Sequence, residues 1–514
     1  MIVVNQLEEV LAPTEALTRM KPGQRNSDGT YEIVYEEVPR RTVDLQERIW
    51  NRLPQTIPQT GNRGYCLQDV SEGKITLETF IAQLTEEELA VIVRGEGMGH
   101  PAVTPGTASA FGGISDSLRE YGLPLACAAD GPSGIRMESG RCAVQLPIGT
   151  LLAATWNTEL VKELYTFEGK ELVLNQVDTL LGPGINIHRS PLNGRNFEYY
   201  SEDPLLTGAM AAAASSGIHD GGAHATIKHF ACNSQEKRRS FVDAVVSERA
   251  LREVYLKGFE MAVRFGNAVS VMTSYNPING HYAASNYDLN TTLLRGEWGF
   301  TGIVMTDWWA KMNGVTDGGE GVKSRTADMI RAQNDLYMVV NNYGAEVNAN
   351  QDDTLEALKQ GRLTVGEMQR CAMNICRFLM NSQAYERVGN AKEEVSVIEP
   401  LETEEAKAKD SQNIAENPVV RIEMGEEAYI HITVPGEYYL ITSIMSPDSN
   451  LFQNSGRIMM NGQETAFIQT QGTNGRWITQ KLNKIILKEG FYCIQPEVLK
   501  PHMEIQWIEF RIGD

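Results

Sequence analysis

Between residues 75 and 388, short apolar runs alternate with longer amphipathic segments. The short runs have the continuous apolar character of strands buried on both faces of a parallel sheet. They are LACAAD (125–130), VDTLLGPGINI (177–187), ATIKHFA (225–231), AVSVMTSYN (268–276), GIVMTDW (302–308) and NDLYMVV (334–340). The segments 157–175 and 247–266 have the spacing of amphipathic helices. Strands that alternate with helices predict a parallel sheet covered on both faces.

The length of this alternating region decides between two parallel-sheet folds. A region of roughly 310 residues has the size of a (β/α)8 TIM-type barrel. A doubly wound dinucleotide fold requires G-x-G-x-x-G after its first strand, and the sequence has no such motif there. We therefore predict an α/β fold, with a (β/α)8 TIM-type barrel over residues 61–388.

The pattern changes on both sides of the predicted barrel. Residues 1–60 are polar and broken by prolines, with a strand-like run only at 31–38, and they predict an arm laid on another part of the molecule. Residues 389–416 are charged and nearly free of aromatics, which is typical of a linker. Residues 417–514 alternate with period two between turn signals, which predicts a C-terminal all-β sandwich of jelly-roll type.

Composition excludes several classes of protein. Hydrophobic residues make up 42% of the chain and charged residues 22%, as in soluble globular proteins. The net charge of −20 argues against a nucleic-acid surface, which needs clustered Lys and Arg. No stretch approaches the roughly 18 apolar residues of a membrane span. We expect neither nucleic acid nor membrane as a partner.

The start of the chain and its cysteines indicate the compartment. The start, MIVVNQLEEV, has no basic n-region and no long apolar run, so it predicts no secretory signal. The seven cysteines are odd in number and have no CxxC spacing, which favours reduced thiols over disulfides or zinc sites. We predict a cytoplasmic protein without metal or cofactor.

Polar side chains cluster where the predicted strands end. In a barrel the carboxyl ends of all strands meet at one face, and the active site lies there. A single Asp after a strand is more often a cap or turn residue, but coincidences at five strands favour a shared pocket. The candidate side chains are Asp130, Arg136, Arg195, Lys228, His229, Arg239, Tyr275, Asp307 and Trp308.

The chemistry of these side chains favours a sugar ligand. They include carboxylates, cations, an imidazole, a phenol and an indole, so they offer acceptors, donors and an aromatic surface for a ring of hydroxyl groups. A phosphate site would want the cations without the carboxylates. A metal site would want close sets of His and carboxylates, and the sequence has no HxxEH or HxH pair.

Five motifs carry a resemblance to a known family. DGPSGIR, GPGINIHRSPLNGRNFEYYSEDP, TIKHFACNSQE, VMTSYNPING and GEWGFTGIVMTDWWA occur in this order. They resemble the motif series of the glycoside hydrolase family 3 β-glucosidases over about residues 60–388. The RGEGM segment near the start of the barrel resembles permuted bacterial members, in which the barrel domain comes last.

The resemblance implies an activity and a role for each candidate. Asp307 corresponds to the nucleophile of a retaining, exo-acting β-glycosidase that removes terminal non-reducing β-D-glucosyl units by double displacement. The other candidates correspond to positions that hold the glycosyl unit in the first subsite. We expect the nearby cations to lower the pKa of Asp307, Tyr275 to hydrogen-bond to it, and Trp308 to form a wall beside the sugar. Specificity of β-xylosidase type is an alternative, since glucose, xylose and galactose differ by one substituent.

The general acid is not evident in the sequence. Family members place it on a separate α/β domain, or in a Gly-rich barrel loop after Lys-His, where this chain has ACNSQEKRR (231–239). Three hypotheses stay open. Another polypeptide or a missing domain supplies the acid; or the acid is Glu202, Glu236 or a residue of the C-terminal domain; or the chain is a catalytically weak or inactive sugar-binding subunit. The oligomeric state is open as well.

The C-terminal domain has two candidate platforms for sugar. Tyr438 or Trp477 could stack on a ring, as in a carbohydrate-binding module. We favour the alternative that these aromatics fill the core of the domain or pack against the barrel.

Overall fold

The computed structural model describes residues 8–387, 396–401, 412–414, 419–423, 427–448, 453–500 and 502–512. These residues form an N-terminal arm, an α/β barrel and an all-β domain. Among the helices of the described residues, none is long and apolar enough to span a membrane.

The N-terminal arm lies on the outside of the barrel. It contains the antiparallel hairpin β1 (Thr18–Arg25) and β2 (Tyr31–Glu37), and the helix α1 (Leu45–Trp50). Before the hairpin, the Leu11 amide donates to the Glu248 carboxylate at 2.9 Å, and the Leu11 carbonyl accepts from Asn279 Nδ2 at 2.8 Å. The Leu11 side chain is buried in the barrel core. These contacts join the start of the described chain to the barrel.

The barrel part contains twelve strands and thirteen α-helices among the described residues, besides two π-helical segments and one 3-10 helix. The strands are β3 (Arg94–Gly97), β4 (Ser109–Gly112), β5 (Leu125–Asp130), β6 (Thr179–Leu181), β7 (His224–Phe230), β8 (Ser270–Thr273), β9 (Pro277–Ile278), β10 (His281–Tyr282), β11 (Ile303–Thr306), β12 (Met312–Gly314), β13 (Gly318–Val322) and β14 (Tyr337–Val340). The α-helices are α2 (Leu67–Ser71), α3 (Leu77–Ile81), α4 (Glu86–Ile92), α5 (Asp116–Glu120), α6 (Gly149–Ala154), α7 (Thr158–Leu174), α8 (Pro204–Asp220), α9 (Glu248–Ala250), α10 (Lys257–Phe265), α11 (Thr326–Arg331), α12 (Thr354–Lys359), α13 (Val365–Met380) and α14 (Gln383–Arg387).

Eight of these strands form one sheet that closes on itself. Their order in the sheet is β11-β8-β7-β6-β5-β4-β3-β14. The two end strands meet, because Met305 of β11 forms a parallel bridge with Leu336, next to β14. The amide of Thr306 also donates to the carbonyl of Leu336 at 2.9 Å. The chain therefore forms an α/β barrel.

One strand departs from the uniform parallel pattern that we predicted. β4 runs antiparallel to both of its neighbours, β3 and β5. Parallel strands need a crossover connection, usually a helix, and residues 98–108 between β3 and β4 contain no helix. The chain therefore returns along β3 in the opposite direction.

Both faces of the barrel sheet are buried, as continuous apolar strands require. In β5, Ala126 and Ala128 belong to one buried apolar cluster, whereas Cys127 and Ala129 belong to another. Successive side chains of a strand point to opposite faces. The two clusters therefore lie on opposite faces of β5.

The all-β domain consists of two five-stranded sheets. Its strands are β15 (Ser396–Ile398), β16 (Gln412–Ile414), β17 (Val419–Glu423), β18 (Ala428–Ile432), β19 (Gly436–Met445), β20 (Gln453–Met460), β21 (Gln463–Gln471), β22 (Ile478–Leu487), β23 (Gly490–Val498) and β24 (Glu504–Ile512). The sheet orders are β15-β22-β19-β24-β17 and β16-β18-β23-β20-β21. Buried apolar residues of both sheets form one cluster, so the sheets share a core.

Two strands of this domain lie within the range that we predicted as a linker. β15 pairs with β22, and β16 pairs with β18, so these described parts of 389–416 belong to the β sheets. The remainder of that range lies outside the described residues, apart from residues 399–401. Charge and low aromatic content do not reveal these strands, because each has only three residues.

Candidate active site

The structure places all nine candidate side chains at the carboxyl end of the barrel strands. Asp130 is the last residue of β5, Lys228 and His229 lie near the end of β7, and Tyr275 follows β8. Asp307 follows β11 directly. The remaining candidates lie on the segments that follow β5, β6, β7 and β11, and they are Arg136, Arg195, Arg239 and Trp308.

Asp307 is not a helix cap. Residues 308–309 form a turn, and the next element after Asp307 is β12. Its backbone amide donates to the carbonyl of Thr273 at 3.2 Å, which fixes the residue against β8. One carboxylate oxygen, Oδ1, accepts from the amide of Trp308 at 2.7 Å. The other, Oδ2, is buried without a hydrogen-bond partner among the described residues.

The pKa of Asp307 is raised, which differs from our expectation. Burial raises the pKa and is the largest influence. The charges of Arg239, Arg195 and Lys228 and the bond from the Trp308 amide lower it, but they do not outweigh burial. The cations lower the pKa as we expected, but the sequence does not show how fully the carboxyl group is removed from water, which is why the net direction was missed.

His229 has a neutral imidazole, and both its ring and its backbone make hydrogen-bonding contacts. Burial lowers its pKa well below the ordinary value, and Arg195, Lys228 and other cations lower it further. Its Nδ1 lies 3.1 Å from the hydroxyl group of Tyr199. Its backbone amide donates to Asn186 Oδ1 at 2.8 Å, and Asn186 Nδ2 donates to its carbonyl at 2.9 Å. Its Nε2 lies 3.7 Å from Asp307 Oδ2.

Tyr275 and Arg239 form the side of the site next to Asp307. The guanidinium carbon of Arg239 lies 4.6 Å from the centre of the Tyr275 ring, a distance that allows a cation–π contact. Burial raises the pKa of Tyr275, and the charge of Asp307 raises it further. The phenol therefore stays protonated at neutral pH, as a hydrogen-bond donor must.

Asp130 lies between two cations. Lys228 Nζ donates to its Oδ1 at 2.6 Å, and an Arg136 nitrogen lies 3.9 Å from its Oδ2. Burial raises the pKa of Asp130, but Lys228, Arg195 and Arg136 outweigh that influence, so the net direction is downward. Its side chain keeps 34% of its surface exposed, so an ionised carboxylate is open to the site.

Trp308 is buried to 7% exposure, and its indole nitrogen has no hydrogen-bond partner among the described residues. Its side chain belongs to the buried apolar cluster that contains Ala126 and Ala128 of β5. Buried polar atoms normally have partners. The free Trp308 Nε1 and Asp307 Oδ2 therefore mark places where a bound molecule could complete the hydrogen bonding.

Sequence reasoning missed two glutamates that hold site arginines. Arg195 Nε donates to Glu198, and Arg136 Nε donates to Glu138. Both glutamate side chains are buried. The close spacing of each pair in the sequence was the available signal.

The two named candidates for an acid within the barrel are poorly suited to donate a proton. Glu202 is exposed on the segment before α8. Glu236 accepts from Arg239 at 3.0 Å and from Asn233 at 2.9 Å, so both of its oxygens are engaged as acceptors. Within residues 8–387, four carboxylates form ion pairs with the candidate Arg and Lys side chains. They are Asp130, Glu138, Glu198 and Glu236.

The two aromatic residues that we considered as sugar platforms in the β domain differ in exposure. Tyr438 is 1% exposed in the core of the domain, so it offers no platform. Trp477 is 45% exposed.

Comparisons with known proteins show the family of the chain. A model of the glycosyl hydrolase family 3 N-terminal domain matches residues 78–378. The chain is 46% identical over 486 residues to a β-glucosidase of Ruminococcus albus, covering 93% of this chain and 50% of the relative. A solved β-glucosidase from Paenibacillus barengoltzii is 58% identical with a TM-score of 0.77, covering 99% of this chain and 55% of that one. β-Glucosidase 3B from Thermotoga neapolitana, solved with glucose, is 39% identical with a TM-score of 0.54, covering 61% of this chain and 43% of that one.

The chain belongs to glycosyl hydrolase family 3. The resemblance drawn from the five motifs is confirmed. The chain spans about half the length of the relatives that it matches over nearly its whole length.

Proposed function

We propose that this chain carries the nucleophile and the first sugar subsite of a retaining, exo-acting β-glycosidase that releases terminal β-D-glucosyl units. The observation that carries the proposal is the environment of Asp307. Among the described residues its buried Oδ2 has no hydrogen-bond partner; it lies 3.7 Å from the neutral imidazole of His229, and three cations are near the carboxylate. The relatives named β-glucosidases support glucose as the sugar. We regard the barrel as the (β/α)8 type with one reversed strand and the β domain as a sandwich.

The reaction proceeds in two displacements. Asp307 Oδ2 attacks the anomeric carbon while the bond to the leaving oxygen breaks and that oxygen takes a proton from the general acid. The resulting ester has inverted configuration. Water then loses a proton to the same group, now a base, and attacks the anomeric carbon, which releases Asp307 and restores the original configuration.

The first subsite supplies complementary groups around the ring. Asp130 is ionised and open, so it accepts from sugar hydroxyls. Arg136, Arg195, Lys228 and His229 carry the donors, with Arg239 and Tyr275 beside the reacting carboxylate. Trp308 forms the apolar wall. Donors that strengthen their contacts as charge develops lower the barrier in a site that excludes water.

We propose that another polypeptide, or a domain joined to this one, supplies the general acid. Two observations support this. Both oxygens of Glu236 accept hydrogen bonds, from Arg239 and Asn233, and Glu202 is exposed. The relatives are about twice as long as this chain. The permuted order, with the barrel after the domain that bears the acid, belongs to the same proposal.

Two substrates with different leaving groups test the proposal. Dinitrophenolate leaves without a proton, whereas methoxide needs one. We expect the chain alone to release a burst of dinitrophenolate from dinitrophenyl β-glucoside, stoichiometric with protein, and to leave methyl β-glucoside intact. Asp307→Asn is the matched control and gives no burst. Absence of a burst despite glucose binding would establish the sugar-binding subunit instead, and a larger burst from the β-xyloside would establish xylosidase specificity.

A further inference from the structure

The β domain contacts the barrel at the end where the site lies. Lys500, which follows β23, forms an ion pair with Glu138, which follows β5. Lys481 of β22 lies 4.8 Å from the ring centre of Tyr343, which follows β14. Glu138 and Tyr343 both come after the carboxyl ends of barrel strands. The β domain is therefore in contact with the face of the barrel that carries Asp307.

Backbone packing supports the same contact. A Cβ atom placed on Gly99, after β3, would lie 2.8 Å from the Cβ atom of Gln469 in β21. Real Cβ atoms do not approach so closely, so the two surfaces meet without space between them. Gln469 is 3% exposed although it lies on an edge strand of its sheet.

Ion pairs continue from this contact into the sugar subsite. Lys500 Nζ pairs with Glu138 Oε2, and Arg136 Nε donates to Glu138 Oε1. A terminal nitrogen of the same arginine lies 3.9 Å from Asp130 Oδ2. The order of the contacts is thus Lys500, Glu138, Arg136 and Asp130. The two oxygens of the buried Glu138 carboxylate each contact one cation, Lys500 from the β domain and Arg136 from the barrel.

The charges explain why the lysine matters. The Glu138 side chain is 6% exposed, and a buried carboxylate requires compensation. With Lys500 in place, each oxygen of Glu138 has its own cation. Without Lys500, Glu138 Oε2 can accept a second hydrogen bond from Arg136. Arginine and carboxylate groups prefer this geometry with two parallel hydrogen bonds. Arg136 would then turn away from Asp130.

We propose that Lys500 is a positioning residue, by which the β domain sets the orientation of Arg136 and hence the affinity of the first subsite. This inference rests on the proposed function, because it assigns a sugar to that subsite. Lys500 does not touch the reacting atoms. Its loss should weaken sugar binding and leave the chemical step unchanged.

Glucose affinity and burst kinetics test the inference on the full chain. We expect Lys500→Met to weaken glucose binding in calorimetry by about two- to fivefold, the upper part of the range for an ion pair with a partly exposed lysine. The half-saturating concentration for the dinitrophenolate burst should rise by the same factor, and the burst rate at saturation should stay the same. Lys500→Arg should keep the affinity. Lys488→Met is the matched control, because Lys488 pairs with Glu399 inside the β domain.

A double variant separates positioning from a general effect on folding. If Lys500 acts through Glu138, Lys500→Met should add nothing to Glu138→Gln. Unchanged glucose affinity in Lys500→Met, or an equal loss in Lys488→Met, would overturn the inference and leave the proposed function intact. If the wild-type chain bound no glucose, the proposed function would fail and the inference with it.

Discussion

The position that makes Asp307 suitable for reaction also buries its carboxyl group, and this burial is unfavourable for folding. Its Oδ2 has no hydrogen-bond partner in the part of the chain that the structure describes, and burial raises the pKa of the carboxyl group above 3.8, the ordinary value. A carboxyl group whose pKa is higher in the folded state than in the unfolded state opposes folding once it is ionised. Active sites often retain such groups because function needs them, at the expense of stability.

Removal of this charge should stabilise the fold. We expect Asp307→Asn to raise the free energy of unfolding at pH 7, because it removes a charge that burial disfavours in the folded state. The gain should disappear below pH 3.8, where the unfolded carboxyl group is protonated too. Urea unfolding at both pH values measures it.

A buried aspartate with a structural partner provides the control for that measurement. Asp352 accepts from Arg94 Nε at 2.7 Å, with both side chains buried. Asp352→Asn should destabilise by about 3 kcal/mol, because it leaves a buried cation unpaired. A loss of stability in Asp307→Asn would contradict the environment described for that residue.

The pH dependence of the burst should report the same carboxyl group. Since Asp307 must be ionised to attack, activity is lost as the pH falls through its pKa, which lies above 3.8. Arg239 is the first of the charges that lower this pKa. Arg239→Met should therefore move the acid limb of the burst rate to higher pH. A limb that stayed in place or moved to lower pH would refute the assignment.

At the scale of elements, strands with apolar sequences were predictable and glycine-rich ones were not. LACAAD matches the bounds of β5, and the segment 157–175 contains α7, whose helix begins one residue later. β3 and β4 were missed because RGEG and SAFG lack the branched apolar residues that indicate strands. The segment 247–266 is divided by a π-helical stretch at Leu251–Tyr255, which the helical spacing conceals.

The same limits apply to the site. The identity of each candidate and its strand end followed from the sequence, because the barrel places all carboxyl ends at one face. The partners of those residues did not. Lys500 lies more than 350 residues from Glu138 in the chain, and only the packing of the β domain on the barrel brings them together.

One glycine should be essential for the strand that carries Asp307. A Cβ atom on Gly302, at the start of β11, would lie 1.9 Å from the carbonyl oxygen of Val269. Gly302→Ala should therefore push β11 from β8 and cost about 2 kcal/mol or more of stability. Gly436→Ala is the control, because nothing lies within 4 Å of its Cβ position. Equal unfolding midpoints for the two variants would contradict this packing.

At the scale of the whole molecule, the N-terminal hairpin presents an uncovered apolar face. Met20 and Tyr35 are paired across the hairpin, and Ile33 lies two residues from Tyr35, so the three share a face. Each is more than 60% exposed. A two-stranded hairpin is marginal in water unless it packs against something. This face is therefore where we expect the acid-supplying polypeptide or domain to bind.

The mass of the natural assembly tests that expectation. Light scattering on protein isolated from its natural source should give a mass above 57.0 kDa, the mass of this chain. Activity on methyl β-glucoside should elute with the larger species. If a separate polypeptide supplies the acid, Tyr35→Lys should dissociate the larger species, and Trp477→Lys, a charge placed at an exposed aromatic of the β domain, should not. A 57.0 kDa monomer with full activity on methyl β-glucoside would refute it.

Covalent trapping tests the central claim most directly. Dinitrophenyl 2-deoxy-2-fluoro-β-glucoside needs no acid to lose its leaving group, and its fluorine slows hydrolysis of the ester, so the intermediate accumulates. After proteolysis, mass mapping should find the fluoroglucosyl group on the peptide that contains Asp307. The label should be absent from Asp307→Asn. A label on any other carboxylate, or full activity in Asp307→Ala, would contradict the account.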